Sequence, residues 1–211
     1  DMAATSVQAL NQGITALTDF TPETAKQVQE EEDKTDHLED ILGTYLVKLS
    51  TRSISADDSN EAARLLKIIG DFERIADHAV NLVHSSEELQ QKKMELSAPA
   101  LAELKVLTNA VSEILSLSLD AFLKDDLQSA VMVEPLEQVI DGLKEQLRTN
   151  HILRLQKEQC SIEAGFVWSD MLTDLERVSD HCSNIAVAMI ELESDSFDTH
   201  QYLISLKDVR S

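Results

Sequence analysis

Residues 71–81 read Asp-Phe-Glu-Arg-Ile-Ala-Asp-His-Ala-Val-Asn, and residues 174–184 read Asp-Leu-Glu-Arg-Val-Ser-Asp-His-Cys-Ser-Asn. The same order of Asp, Glu, Arg, Asp, His and Asn therefore occurs twice. The two copies are offset by 176 − 73 = 103 positions, which is about half of the 211 residues. A repeat at this period indicates an internal duplication. The sequence predicts two related halves that share the same fold.

The composition favours helices in both halves. The chain has 5 Gly and 3 Pro, and aromatic residues make up 4%, which is too little for a β-sandwich or barrel. Around the first copy, Leu65, Ile68, Ile69 and Phe72 recur at i, i+3, i+4 and i+7, the period of a helix with one buried face. We therefore predict an all-α fold, a tandem repeat of two three-helix bundles with six long helices.

Capping residues place the helix boundaries. Thr21 followed by Pro22 is typical of an N-cap with proline at the first helical position. The last segment is mostly polar and is interpreted as a tail. The predicted units are a first three-helix repeat over residues 1–93, a second over 94–193 and the tail over 194–211.

The formal net charge of −21 and a sequence pI of about 4.5 limit the partners of the chain. A field of this sign repels nucleic-acid backbones and anionic lipids, so we expect cations or basic protein faces as partners. No run of 18 predominantly apolar residues is recognised, so we expect no membrane-spanning segment. Cys160 and Cys182 lie outside any CxxC motif, as is usual for reduced thiols in a cytosol.

Acidic pairs with Glu-x-x-x-Asp spacing occur on both long helices of each half. If each half folds as a hairpin, its midpoint lies in the 53–59 turn or in the 157–160 turn, which brings the two pairs of that half to one level. Helical periodicity at about 100° per residue places both pairs on the same flank of the hairpin. The eight carboxylates are Glu32, Asp36, Glu73, Asp77, Glu137, Asp141, Glu176 and Asp180.

Four converging carboxylates point to a bound cation. Like charges at i, i+4 destabilise a helix by about 0.2–0.5 kcal/mol per pair, and convergence of two pairs increases the repulsion. Oxygen ligands suit hard or borderline cations. We expect iron first, with Zn, Ni, Mn, Mg or Ca as alternatives. The other interpretation is that these residues are solvated acids on the surface of a very acidic protein.

Six further residues of the repeated motif are expected around these ligands. The arginines form either surface salt bridges or contacts beside the metal. The histidines are expected farther round the helix, toward solvent, and the asparagines continue the acidic row by one turn and suit outer hydrogen bonds. These residues are Arg74, His78, Asn81, Arg177, His181 and Asn184.

The two quoted stretches resemble the signature of the PhoU family, and the resemblance covers roughly residues 3–193. It implies a tandem of two three-helix bundles that bind multinuclear metal clusters on their surface. By this likeness the eight carboxylates named above are the metal ligands. PhoU proteins restrain phosphate uptake and signal phosphate sufficiency through transporters and sensor kinases.

Residues 153–166 and 180–186 are most similar to PhoU-like domains at the C-terminus of sodium/phosphate cotransporters. This likeness implies a non-enzymatic regulatory domain at the cytoplasmic face of the cell membrane, whose partner is its own membrane domain. The alternative is a freestanding regulator of an ABC phosphate transporter and its sensor kinase. A homodimer is compatible with both interpretations.

Two functions of other classes remain open from the sequence. A di-metal carboxylate oxidase uses Glu-x-x-His pairs in a bundle core, but the chain has no such pair. A plain helical scaffold with solvated acids would bind no stoichiometric metal. The chain also lacks Gly-x-Ser-x-Gly and P-loop motifs, so we expect no enzymatic activity.

Overall fold

The computed structural model describes residues 1–52 and 55–193, and this part of the chain contains helices and no strand. The prediction of an all-α tandem fold is confirmed. The tail proposed for 194–211 lies outside the described residues, and the boundaries 1–93 and 94–193 stay predictions. The helices are α1 (Met2–Ala16), α2 (Pro22–Ser50), α3 (Ala56–Gln91), α4 (Ala98–Lys124), α5 (Leu127–Gln156) and α6 (Ile162–Glu193).

Side-chain caps begin several of these helices where the sequence indicated. The Thr21 hydroxyl accepts a hydrogen bond from the Thr24 amide at 3.0 Å, and Pro22 follows it as the first residue of α2. Ser55 and Asp58 form a reciprocal capping box at the start of α3. Such caps satisfy amides that have no partner within the helix, and each stabilises the helix by about 1 kcal/mol.

Each half is a three-helix bundle, and the two bundles pack against each other through α3 and α6. In the first half α3 contacts α1 and α2, and in the second half α6 contacts α4 and α5. The repeated motifs lie on these two central helices. Phe72, Ile75 and Leu82 of α3 are fully buried, as are Leu175 and Ile185 of α6. Burial of such side chains stabilises the fold by about 1.5–3 kcal/mol each.

Helix α4 corrects one expectation from the sequence. By length and composition alone it is apolar enough to cross a membrane, so the statement that no such stretch occurs is wrong. Leu104, Leu107, Val111 and Ile114 are buried in the core. Because α4 packs on α5 and α6, these apolar residues form part of the core of the second bundle.

A glycine sets the distance between α1 and α3. A Cβ atom built at Gly13 would lie 2.9 Å from the carbonyl oxygen of Ala79, a backbone atom that cannot rotate away. Nothing lies within 4 Å of the equivalent atom at Gly70 in α3. An alanine at Gly13 therefore tests the close packing of α1 on α3, whereas an alanine at Gly70 tests helix propensity alone.

We expect Gly13→Ala to lower the free energy of unfolding by about 1–2 kcal/mol, because overpacking outweighs the gain in helix propensity. Gly70→Ala is the matched control and should raise the free energy by up to about 1 kcal/mol. Urea unfolding followed by circular dichroism measures both values. A stabilising Gly13→Ala substitution would show that α1 and α3 are farther apart than described.

Candidate metal centres

The second half brings three of the predicted ligands together. Glu137 and Asp141 lie one turn apart on α5, and Asp180 approaches them from α6. One carboxylate oxygen from each lies within 4.8 Å of the others. Within residues 1–52 and 55–193, this is the one triplet of His, Cys, Asp or Glu ligand atoms that meets this distance. The triplet contains three of the four carboxylates predicted for this half, and their role as metal ligands stays a prediction.

Glu176, the fourth predicted ligand of this half, has an unusual pair of contacts. Its Oε1 atom lies 2.9 Å from Nζ of Lys144. Its Oε2 atom is buried and accepts no hydrogen bond from a described residue, and Nε of Arg177 lies 4.0 Å away. A buried carboxylate oxygen without a donor is costly, and a cation at the neighbouring triplet would satisfy it.

Burial, followed by electrostatic crowding, raises the pKa of two carboxyls in this cluster. Burial raises the pKa of Glu137 to about 7, and the Asp141 carboxylate adds to the shift. Burial also raises the pKa of Asp180, with Glu176 as the next cause. In the metal-free protein these groups therefore hold protons at a higher pH than usual. A multivalent cation would replace those protons and remove the repulsion.

The first half shows the same raised pKa values on α2 and α3, but its described residues form no triplet of ligand atoms within 4.8 Å of one another. Burial raises the pKa of Glu32 to about 7, with Asp33 and then Asp77 as further causes. Burial also raises the pKa of Glu73, and Asp77, Glu39 and Asp36 contribute. Acids from the two helices are thus close enough to repel each other. All four predicted ligands of this half belong to one electrostatic cluster.

The chemistry of both clusters fits an oxygen-preferring cation. They consist of carboxylates from two adjacent helices, partly buried, with raised pKa values and, in the second half, a buried oxygen that accepts no hydrogen bond from a described residue. Hard or borderline cations bind such oxygen sets. The metal identity and the number of ions stay predictions.

The motif arginines contact the predicted ligands in both halves. Arg74 donates to Asp77 at 2.8 Å, and Arg177 donates to Asp180 at 3.3 Å. Both arginine side chains are about 60% exposed, so each pair contributes at most about 1 kcal/mol. Each arginine thus contacts the second carboxylate of its motif from the solvent side, and a role beside a metal stays a prediction.

The histidines and asparagines of the motif lie elsewhere than expected. His78 Nδ1 lies 2.8 Å from an Asp174 oxygen, and His181 Nδ1 lies 2.9 Å from an Asp71 oxygen. The imidazoles are 15% and 19% exposed, so the expectation that they point to solvent is wrong. They face the other half because adjacent residues of a helix point about 100° apart, which separates each histidine from the aspartate before it.

The asparagines complete the same contact between the halves. Asn81 donates to Asp174 at 3.1 Å, and Asn184 donates to Asp71 at 3.3 Å. The two imidazole rings lie 5.6 Å apart. These hydrogen bonds go to the opposite repeat and not to the eight predicted ligands. We call this set the inter-repeat clasp, which consists of Asp71, His78, Asn81, Asp174, His181 and Asn184.

Three residues at the clusters were missed by the sequence analysis. Glu39 contributes to the raised pKa of Glu73, and Glu134 contributes to that of Glu137. Lys144 binds Glu176 directly. Lys144 aligns with Glu39, since 144 − 39 = 105, the offset of the α2 and α5 acidic pairs. Comparison of the two halves position by position would have shown this exchange of charge.

The fold and the sites define an internally duplicated helical protein with an acidic cluster on the flank of each bundle. The PhoU domain model of this family matches residues 1–85 and again residues 104–189. The chain therefore belongs to the PhoU family, and the resemblance stated from the two motifs is confirmed.

Similar proteins extend over most of the chain. It is 25% identical over 188 residues to the phosphate-specific transport system accessory protein PhoU homolog 1 of Thermotoga maritima, covering 89% of this chain and 80% of that protein. It is 28% identical over 187 residues to the phosphate-specific transport system accessory protein PhoU homolog of Zymomonas mobilis, and the alignment covers 88% of this chain and 78% of that protein. The crystal structure of PhoU from Pseudomonas aeruginosa has the same fold, with a TM-score of 0.85 at 23% identity over 92% of this chain and 93% of that one.

The inter-repeat clasp generates a prediction about stability. Asp71→Ala leaves the His181 and Asn184 donors without their acceptor, so the free energy of unfolding should fall by about 1–3 kcal/mol. Asp120→Ala is the control, since it removes an exposed ion pair with Lys124, and it should change the free energy of unfolding by less than about 1 kcal/mol.

A double-mutant cycle of Asp71→Ala with His181→Ala tests the contact itself. We expect the two effects to be non-additive, because the residues share a hydrogen bond. Urea unfolding gives the four free energies. Additive effects would mean that the two residues do not interact across the repeats.

Proposed function

We propose that this chain is a metal-binding, PhoU-type regulator of phosphate transport that acts by protein contact and not by catalysis. Membership of the PhoU family, matched in both halves, supports the regulatory role. The observation that carries the metal site is the convergence of Glu137, Asp141 and Asp180 within 4.8 Å. The raised pKa of Glu32 supports the same kind of site in the first half.

The relatives favour one of the two partner hypotheses. Proteins named as accessory proteins of phosphate-specific transport systems align with 88–89% of this chain and 78–80% of their own length. We therefore propose that the chain serves a separate phosphate transporter at the cytoplasmic face of the membrane. This is the alternative from the sequence analysis, and it is better supported than a cotransporter domain.

The proposed metal has a structural and electrostatic role. Glu32, Asp36, Glu73 and Asp77 would hold it between α2 and α3, and the other four predicted ligands would hold it between α5 and α6. A bound cation supplies positive charge at flanks that are otherwise strongly acidic. The protein itself fixes the two helices of each hairpin and orients the carboxylates, with Arg74 and Arg177 outside them.

The oxidase hypothesis has less support than regulation. Ferritin-like oxidases place histidine ligands in the bundle core. Here His78 and His181 instead contact aspartates of the opposite repeat, and the acids lie on a flank. The helical-scaffold hypothesis differs from our proposal by one measurable quantity, the metal content.

Metal content tests the two-site proposal. Glu73→Ala combined with Asp77→Ala should lower the ratio of metal to chain by about half, because the second half keeps its ligands. Elemental analysis of tag-free protein measures this ratio, and circular dichroism shows that the helices remain. Glu87→Ala combined with Glu88→Ala removes two acids from the same helix, away from the cluster, and should leave the ratio unchanged. Loss of all metal, or of none, would contradict two independent sites.

Uptake of radiolabelled phosphate tests the regulatory role. In cells of the organism that encodes the chain, its deletion should raise uptake in phosphate-rich medium, and the wild-type chain should restore the lower rate. The variant lacking Glu73 and Asp77 should restore it incompletely. Unchanged uptake after deletion would contradict a role in phosphate transport.

A further inference from the structure

A cavity between α5 and α6 has a composition that is unusual for this chain. Its volume is about 390 Å³, within the range of small-molecule sites. Lys144, Arg148 and His151 line it from α5, and Ser169 and Thr173 line it from α6. The three basic residues follow one another at i, i+4 and i+7, which places them on one face of the helix.

The charge of this cavity is opposite to that of the protein. The chain has a net charge of −21, yet none of the described residues that line the cavity is acidic. Two acids that contact residues of this region are already paired. Glu176 binds Lys144 at 2.9 Å, and Glu103 binds Arg154 at 2.8 Å. The ion pair with Glu176 balances the charge of Lys144, and burial lowers the pKa of His151. The uncompensated cation of the cavity is therefore Arg148, and together with the hydroxyl groups it favours an anion.

Three polar groups in this region have no hydrogen-bond partner among the described residues. Arg148 is exposed and makes no hydrogen bond or ion pair with any described residue. Trp168, which also lines the cavity, is 1% exposed, and its Nε1 atom is buried without a partner. The Nε2 atom of His151 is likewise buried and unpartnered. The two buried atoms have almost no accessible surface, so the guanidinium of Arg148 is the group that a bound oxyanion could reach.

The first half has no equivalent of this cavity lining. With the offset of 105 between α2 and α5, Glu39, Gly43 and Leu46 occupy the places of Lys144, Arg148 and His151. With the offset of 103 between α3 and α6, Leu65 and Leu66 occupy those of Trp168 and Ser169. The basic residues are thus not required by the fold, because the first bundle forms the same hairpin without them. Their presence is a property of the second half alone.

We propose that the cavity between α5 and α6 binds a small phosphate-class oxyanion, either inorganic phosphate or a small phosphate ester. Arg148 provides a planar guanidinium, which suits bidentate contacts to phosphate oxygens. Lys144 adds a second positive charge, and the Ser169 hydroxyl adds a donor. Lys144 also contacts Glu176, so the anion would lie beside the candidate metal centre of the second half. The choice of phosphate among oxyanions rests on the proposed function in phosphate transport.

Isothermal titration calorimetry with inorganic phosphate tests the site. The protein is titrated both as purified and after chelator treatment, with its metal content checked, because bound metal is a second place where phosphate can bind. We expect Arg148→Gln to weaken binding by about ten- to a hundredfold in both preparations. Ser169→Leu introduces the residue found in the first half and should weaken binding by filling the cavity.

Lys67→Gln is the matched control, since it removes one positive charge from an exposed position on α3. It should leave the affinity for phosphate unchanged. Sulfate should compete, and a phosphate monoester such as glycerol phosphate should bind more tightly than inorganic phosphate if the larger volume serves an ester. Tighter binding of inorganic phosphate identifies the free ion as the ligand.

Two results would overturn the proposal. One is phosphate binding that neither Arg148→Gln nor Ser169→Leu weakens, which would place the anion elsewhere. The other is no phosphate binding by either preparation. Neither result affects the uptake experiment described above, so failure of this site and failure of the regulatory function are distinguishable.

Discussion

The packing of α3 against α6 is the constraint on which the rest of the structure depends. Both helices carry the repeated motif, and each packs at once against the opposite repeat and against a helix of its own half. One face, with Asp71 and His78, bonds to the opposite repeat. The next face, with Glu73 and Asp77, joins the acids of its own hairpin. The spacing of the motif is therefore fixed by two neighbours, so the inter-repeat clasp and the α3 and α6 acids of the clusters come from the same eleven-residue motif.

Much of the fold could be predicted from the sequence because its signals are local. Thr21 and Pro22 begin α2 as expected, and the apolar period of α3 marks its buried face. The convergence of Glu137 and Asp180 follows from helix geometry and the hairpin midpoint. The partner of His78 could not be found this way, because Asp174 is 96 residues away. Helical periodicity gives the direction of a side chain but does not say which helix it meets.

The differences between the halves are as informative as their likeness. A duplicated fold keeps what the architecture requires, and the acidic pairs and the clasp are present in both copies. The difference between Glu39 in the first half and Lys144 at the aligned position of the second half is not required by the fold, since both bundles form the same hairpin. It makes the first flank more acidic and joins the second flank to a basic cavity that contains Arg148. If both proposals hold, the two halves bind cations alike and only the second half binds an anion.

Anomalous X-ray diffraction at the absorption edge of the metal found in the purified protein tests the central claim most directly. The account predicts anomalous density at two places, one between α2 and α3 at Glu32 and Asp77, and one between α5 and α6 at Glu137 and Asp180. Two acidic flanks without density, in crystals of protein that contains stoichiometric metal, would contradict it. The carboxylates would then be solvated acids, and the metal would be bound elsewhere.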